Sequence, residues 1–104
     1  MFFGTGYEEV EALAVIDILR RGGVDVDMVS VTGEKGVTSS HKVTIETDCL
    51  LEEVDFDRTQ MILLPGGMPG TTNLENCELL MEQLDRFYEQ KKAIGAICAA
   101  PSIL

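Results

Sequence analysis

Short apolar runs alternate with helical stretches along this chain, and that alternation limits the fold more than any other feature. The runs occupy residues 1–4, 24–31, 60–64 and 93–97. Each is short enough for a strand, and turn residues bound most of them. Residues 8–21 read as a helix: acids lead it, Arg20 and Arg21 end it, and Gly22-Gly23 stop it. Its apolar residues (Val10, Leu13, Ala14, Val15, Ile16, Ile18 and Leu19) cover more than one face, which predicts a largely buried helix. Residues 74–90 read as a second helix, with Leu79, Leu80, Leu84, Phe87 and Tyr88 at helical spacing. Residues 24–31 predict a strand of mixed burial, and the β-branched stretch 37–47 predicts an extended or hairpin-like segment. Residues 50–54 suggest a short helix, 68–72 a loop, and Ala99 onward the start of another helix. Short apolar strands interleaved with helices predict an α/β fold, with a mostly parallel sheet covered on both faces.

In open α/β sheets, functional sites form beyond the carboxyl ends of the strands. Three of those ends are chemically unusual here. The first run leads into Gly4-Thr5-Gly6 and then Glu8, Glu9 and Glu11. A later one ends at Pro65-Gly66-Gly67, and the last ends at Cys98. The topology predicts that the three lie close together.

Cys98 sits between a strand and an expected helix. Ala96 and Ala100 flank it two residues away on either side, giving A-x-C-x-A. A strand-to-helix turn of this kind, related to G-x-S-x-G, exposes its central residue in a strained conformation. A helix N-terminus also favours thiolate, and Pro101 suits a first helical turn. The other reading is a small buried hydrophobe. Gly66 and Gly67 either end a strand or let backbone N–H groups approach a developing oxyanion. The dipole accounts for all three glutamates at the helix start. Glu11 is set apart by its place among inward-facing residues. A carboxyl buried there can stay protonated and donate a hydrogen bond to a thiolate. His41, the single histidine, lies in Ser39-Ser40-His41-Lys42 and reads as an exposed loop residue rather than a partner for Cys98.

Composition excludes several classes. The chain has 104 residues, enough for one small domain, and 45% of them are hydrophobic, so a core is within reach. A net charge of −10, from 18 acidic against 8 basic residues, argues against nucleic acid and anionic membrane as partners. Three widely spaced cysteines without a C-x-x-C pair do not form a disulfide scaffold, and one histidine is too few for a common zinc site. The N-terminus carries no secretion signal and no apolar run approaches membrane-spanning length, so a reducing, cytoplasmic setting is expected.

The stretches GTGYEEVEALAVIDILRRGG, ILLPGGMPG and AIGAICAAPSIL, in that order and spacing, closely resemble the ThiJ/PfpI superfamily. Within it they are most similar to the parkinsonism-associated, deglycase-like branch. The resemblance covers essentially the whole chain, and E-E-x-E is its most branch-specific part. It implies a flavodoxin-like three-layer α/β sandwich, usually dimeric. It also implies that Cys98 is the nucleophilic, oxidation-sensitive cysteine and that Glu11 is the protonated glutamate that hydrogen-bonds it. By the same resemblance, Gly66 and Gly67 form the loop whose amide faces the substrate oxygen, and the Ala99 amide completes that site. Chains of this family continue well past the cysteine, whereas this one ends six residues after it. Residues 1–104 are therefore expected to be a single partial domain, a fragment or truncated form, with its C-terminal part missing. The family's histidine is not assignable in it.

Three functions follow for test. The first is a cofactor-independent thiol enzyme of the glyoxalase or deglycase type, acting on a small reactive carbonyl or a glycated protein. The second is a redox-responsive sensor or chaperone in which Cys98 oxidation is the event. The third is a flavodoxin-like binding module with an inert cysteine.

Overall fold

The computed structural model describes residues 1–98 and 100–103. Its elements run β1 (Phe2–Phe3), α1 (Glu9–Arg21), β2 (Val29–Ser30), β3 (Gly36–Thr38), β4 (Thr44–Glu46), β5 (Cys49–Leu50), β6 (Met61–Leu64), α2 (Gly70–Glu75), α3 (Glu78–Glu89) and β7 (Ala93–Ala96). Single 3-10 turns follow at Leu51–Glu53 and Ala100–Ile103. Strands β5, β2 and β1 pair in parallel, as do β6 and β7, and β1 lies against β6. The sheet is mostly parallel, as expected. The exception is the antiparallel β3–β4 hairpin, with Val37 opposite Ile45.

Strand alternation explains why both faces of the sheet are covered. Phe2, Val29, Ile62 and Leu64 point to one face, where they pack with Leu74 of α2 and Leu80, Leu84 and Phe87 of α3. Phe3 points to the other, with Tyr7, Ala12 and Ile16 of the α1 side and Val37 of the hairpin. Phe3 and Tyr7 meet edge-on, with ring centroids 4.9 Å apart, a favoured aromatic geometry. The mixed burial expected of residues 24–31 has the same origin. Val26 and Met28 pack on the α1 side, Val29 and Val31 on the other.

Three expectations change. Helix α1 is not largely buried: only Ala12 and Ile16 are enclosed, while Val10 is 70% and Ile18 67% exposed. The α1 face of the sheet is small, and the hairpin takes part of the cover that a helix alone would give. The stretch 68–72 is not wholly a loop, and 74–90 is not one helix. Helix α2 begins at Gly70 and stops at Glu75, and Cys77 caps a separate α3. The buried Leu74 and Leu80 are six residues apart, a spacing that no straight helix places on one face, so the break lets both reach the core. The ladder of β2 is limited to Val29–Ser30, and the segment before it is held by isolated bonds, from the Met1 ammonium to the Asp27 carbonyl (2.8 Å) and from the Asp48 N–H to the Met28 carbonyl (2.8 Å).

Candidate functional site

Register brings the site together. Strands β6 and β7 pair Leu63 with Gly95 and Leu64 with Ala96. Two residues further on each strand are Gly66 and Cys98, so the loop and the thiol emerge side by side. Beyond the pairing, the Ile97 N–H still bonds the Leu64 carbonyl (3.2 Å), and the Ala100 N–H bonds back to the Ile97 carbonyl (3.0 Å). That turn holds Cys98 at φ +55°. A non-glycine residue there costs on the order of 1–3 kcal/mol and persists only where its surroundings impose it. Cys98 is exposed, as an elbow residue should be. The described residues that follow form a 3-10 turn, Ala100–Ile103. Ala99 lies outside the described residues.

Gly66 is buried at the centre of the arrangement. A β-carbon added there would lie 2.6 Å from Glu11 Oε1, 2.8 Å from Cys98 Cβ and 3.0 Å from the Ile97 carbonyl oxygen. Glu11 and Cys98 therefore flank the same α-carbon from two different elements. Glu11 Oε1 is buried and has no hydrogen-bond partner among the described residues. Gly67 takes φ +98°, and a side chain there would collide with the Glu8 backbone nitrogen. The three strand ends expected to meet do meet: the Glu8 N–H bonds the Gly66 carbonyl (3.0 Å), and the Gly70 N–H bonds the Gly6 carbonyl (3.1 Å).

His41 is 71% exposed in the hairpin turn, as expected for a loop histidine. It has a partner not anticipated from the sequence: its Nδ1 lies 2.7 Å from Glu9 Oε1, on a side chain only 16% exposed. Burial pushes the Glu9 carboxyl up, but its own backbone N–H, Ser39 and His41 outweigh this and hold it below the usual carboxylate range. The ligand atoms of Glu8, Glu9 and His41 lie within 4.8 Å of one another. All three are engaged: Glu9 and His41 with each other, and Glu8 with the Glu11 N–H (3.0 Å). The group acts as a clasp that docks the hairpin on the start of α1, along with the Gly6 N–H to Thr38 carbonyl bond (2.8 Å) and the Ser40 N–H to Tyr7 carbonyl bond (2.9 Å). Within the hairpin turn the Ser39 hydroxyl accepts the Val43 N–H (2.9 Å), a local turn typical of serine.

Cys49 and Cys77 are half-buried and away from this junction. Burial, then the charges of Asp27, Glu53 and Asp48, push the Cys49 thiol up. In limited iodoacetamide alkylation at neutral pH, Cys98 should be labelled first and Cys49 last, as read by peptide mass spectrometry. Denaturant should remove the difference. Equal labelling in the native chain would contradict this order. Two concavities lie elsewhere. One of about 280 Å³ adjoins Gly4, Thr5, Val31, Thr32 and Asn73, and an apolar cleft of about 720 Å³ adjoins Met81, Leu84, Tyr88, Ile94 and Ile103. The Cys98 junction is the better candidate on chemistry: a strained, exposed thiol near a buried carboxyl oxygen that has no partner among the described residues.

A sequence profile of the DJ-1/PfpI family matches residues 1–104. The chain belongs to the DJ-1/PfpI family. Its fold is accordingly the flavodoxin-like α/β fold, as expected. Among DJ-1/PfpI relatives, Protein DJ-1 homolog B of Arabidopsis thaliana is 38% identical over 98 residues, covering 94% of this chain and 22% of its own. Glutathione-independent glyoxalase DJR-1.2 of Caenorhabditis elegans is 33% identical over 97 residues, covering 93% of this chain and 51% of its own. Among solved structures, Drosophila melanogaster DJ-1beta superposes with a TM-score of 0.94 at 33% identity, covering 99% of this chain and 55% of its own. Oxidized Toxoplasma gondii DJ-1 does so at 0.92 and 36%, covering 99% and 56%. The chain thus spans about half the length of most of these DJ-1/PfpI proteins, and less of the Arabidopsis one. Among the described residues, no helix is long and apolar enough to cross a membrane.

Proposed function

We propose that this chain carries the reactive half of a cysteine-dependent, cofactor-independent glyoxalase or deglycase, acting on 2-oxoaldehydes or their protein adducts. The observation that carries the reading is the convergence of Glu11 Oε1 and Cys98 Cβ on Gly66. A relative bearing the name glutathione-independent glyoxalase supports the choice of substrate class.

The Cys98 sulfur bonds to the aldehyde carbon, and the carbonyl oxygen takes up a proton, giving a hemithioacetal. Glu11, left as a carboxylate after giving its proton to that oxygen, then removes the proton from the carbon and returns it to the neighbouring carbon, while the hydroxyl proton passes to the neighbouring carbonyl oxygen through an enediol. This step oxidises the first carbon to a thioester and reduces the second to an alcohol. Water cleaves the thioester, releasing a 2-hydroxy acid and the thiol. The redox change is internal, so no external oxidant is consumed. Backbone amides of Gly66, Gly67 and Ala99 are the proposed donors to the substrate oxygen. The test is conversion of methylglyoxal to lactate, followed by NMR. Its absence in a folded chain would sink the enzymatic reading.

A second reading rests on the exposure of the Cys98 thiol. There, peroxide oxidises Cys98 to sulfinate and the chain acts as a sensor or chaperone. Selective Cys98 oxidation and client protection without lactate would favour it.

The proposed assembly is a homodimer. Val10, Ala14 and Ile18 are exposed along one face of α1, a stripe that a monomer leaves in water. Sedimentation should give twice the chain mass, and Ile18→Lys should return the monomer. A monomeric parent chain at micromolar concentration would refute this assembly.

A further inference from the structure

Residues 8–11 have the spacing of a capping box, in which the third helical residue, a glutamate, reaches back to the N–H of the cap. Only half of that box is made. The Glu8 side chain accepts the Glu11 N–H at 3.0 Å, but the Glu8 N–H is taken by the Gly66 carbonyl at 3.0 Å. The Glu11 carboxyl is thereby denied its ordinary local partner. Its Oε1 is left buried and without a hydrogen-bond partner among the described residues, and it and the Cys98 β-carbon both crowd the space a side chain at Gly66 would fill.

The cap residue is itself unusual. Serine, threonine, aspartate and asparagine are the usual choices, because their short side chains reach the N–H groups of the first turn directly. Glu8 makes the same bond with a longer side chain from an extended backbone (φ −87°, ψ 113°). Its main chain also sits against the β6 loop, where a β-carbon at Gly67 would come 3.0 Å from Glu8 Cβ. One residue thus touches both the loop that borders the thiol and the backbone that carries the carboxyl.

We infer that Glu8 is a positioning residue: its side chain holds the Glu11 backbone at the head of α1 while its own N–H is given to the Gly66 carbonyl, which leaves the Glu11 carboxyl to the Cys98 thiol. The inference rests on the proposed pairing of Glu11 with the thiolate, but not on any particular substrate. Its test is therefore independent of turnover: the rate of iodoacetamide alkylation at Cys98 as a function of pH, in the chain and in Glu8→Ala and Glu8→Gln. Circular dichroism confirms that each variant is folded under the same conditions.

Glu8→Ala should slow Cys98 alkylation at neutral pH by roughly tenfold and move the midpoint of the profile upward, because a carboxyl displaced by about an ångström loses its hold on the reacting group. Glu8→Gln keeps the acceptor and should restore the rate to within about twofold. The sign separates this from a charge effect. Simply removing a neighbouring negative charge would favour the thiolate and move the midpoint down. A lower midpoint in Glu8→Ala, or an unchanged profile with only a lower melting temperature, overturns the inference. So does a Cys98 profile in the parent chain that matches Cys77. If the parent makes no lactate yet Glu8→Ala shows the upward shift and Gln reverses it, the positioning role stands and the glyoxalase reading falls.

Discussion

Cys98→Ala should reduce lactate formation from methylglyoxal by about three orders of magnitude or more, to the background rate. The sulfur is the atom that bonds to substrate in the proposed mechanism, and no neighbouring side chain replaces it. Cys49 is half-buried with its thiol pushed up by burial, so it cannot stand in. Stability should hardly change in that variant. Cys98 sits at φ +55°, where any side chain is strained, and alanine relieves none of that strain. Cys98→Gly is therefore the informative companion. It should be as inactive as alanine yet unfold at higher temperature than alanine, because glycine adopts positive φ readily. A chain whose lactate production survives Cys98→Ala within tenfold is not using this thiol. Equal melting temperatures for the two variants would mean that the turn is not held as the structure shows.

Gly66→Ala carries the second large effect. The added β-carbon would meet Glu11 Oε1 at 2.6 Å, Cys98 Cβ at 2.8 Å and the Ile97 carbonyl oxygen at 3.0 Å. Real β-carbons do not come that close, so something must move. The end of the Glu11 side chain is the softest of the three. Its displacement takes the proton carrier away from the reacting carbon, and a shift of about 1 Å can cost roughly a hundredfold in rate. The expected result is a fall of about that size in kcat, with the chain still folded by circular dichroism. A Gly66→Ala variant at parental kcat would show that the loop yields instead, and that Glu11 and Cys98 are not held together through Gly66.

The two substitutions probe different levels of the site, and those levels differed in how far they could be read beforehand. The elbow could be read locally. A strand of small and apolar residues ending at Cys98, with alanines two residues either side, leaves room for the turn that the structure shows at φ +55°. The Gly66–Cys98 juxtaposition needed the parallel register of β6 on β7. A strand pair slipped by two residues would satisfy the same apolar pattern and separate the glycine from the thiol. Glu11 was distinguishable from Glu8 and Glu9 only by its place in the helical pattern. Its carboxyl is withheld from the helix cap because the Gly66 carbonyl, from a loop 58 positions later in the chain, already holds the Glu8 N–H. The clasp between His41 and Glu9 was not foreseeable, since it depends on how the β3–β4 hairpin folds over the start of α1.

What the sequence by itself determined is local and periodic. The alternation of short apolar strands with helices, the acidic start and basic end of α1, the β-branched hairpin and the small residues around Cys98 each act through nearest neighbours, so they are written in nearest neighbours. Tertiary structure alone decided the rest. It split the second helix so that Leu74 and Leu80 could both reach the core, and it left Val10 and Ile18 of α1 in solvent. It also left Glu11 Oε1 buried beside Gly66, with no hydrogen-bond partner among the described residues. Each of these outcomes depends on which distant group claims a hydrogen bond or a patch of apolar surface first, and that competition is resolved only when the whole chain is packed.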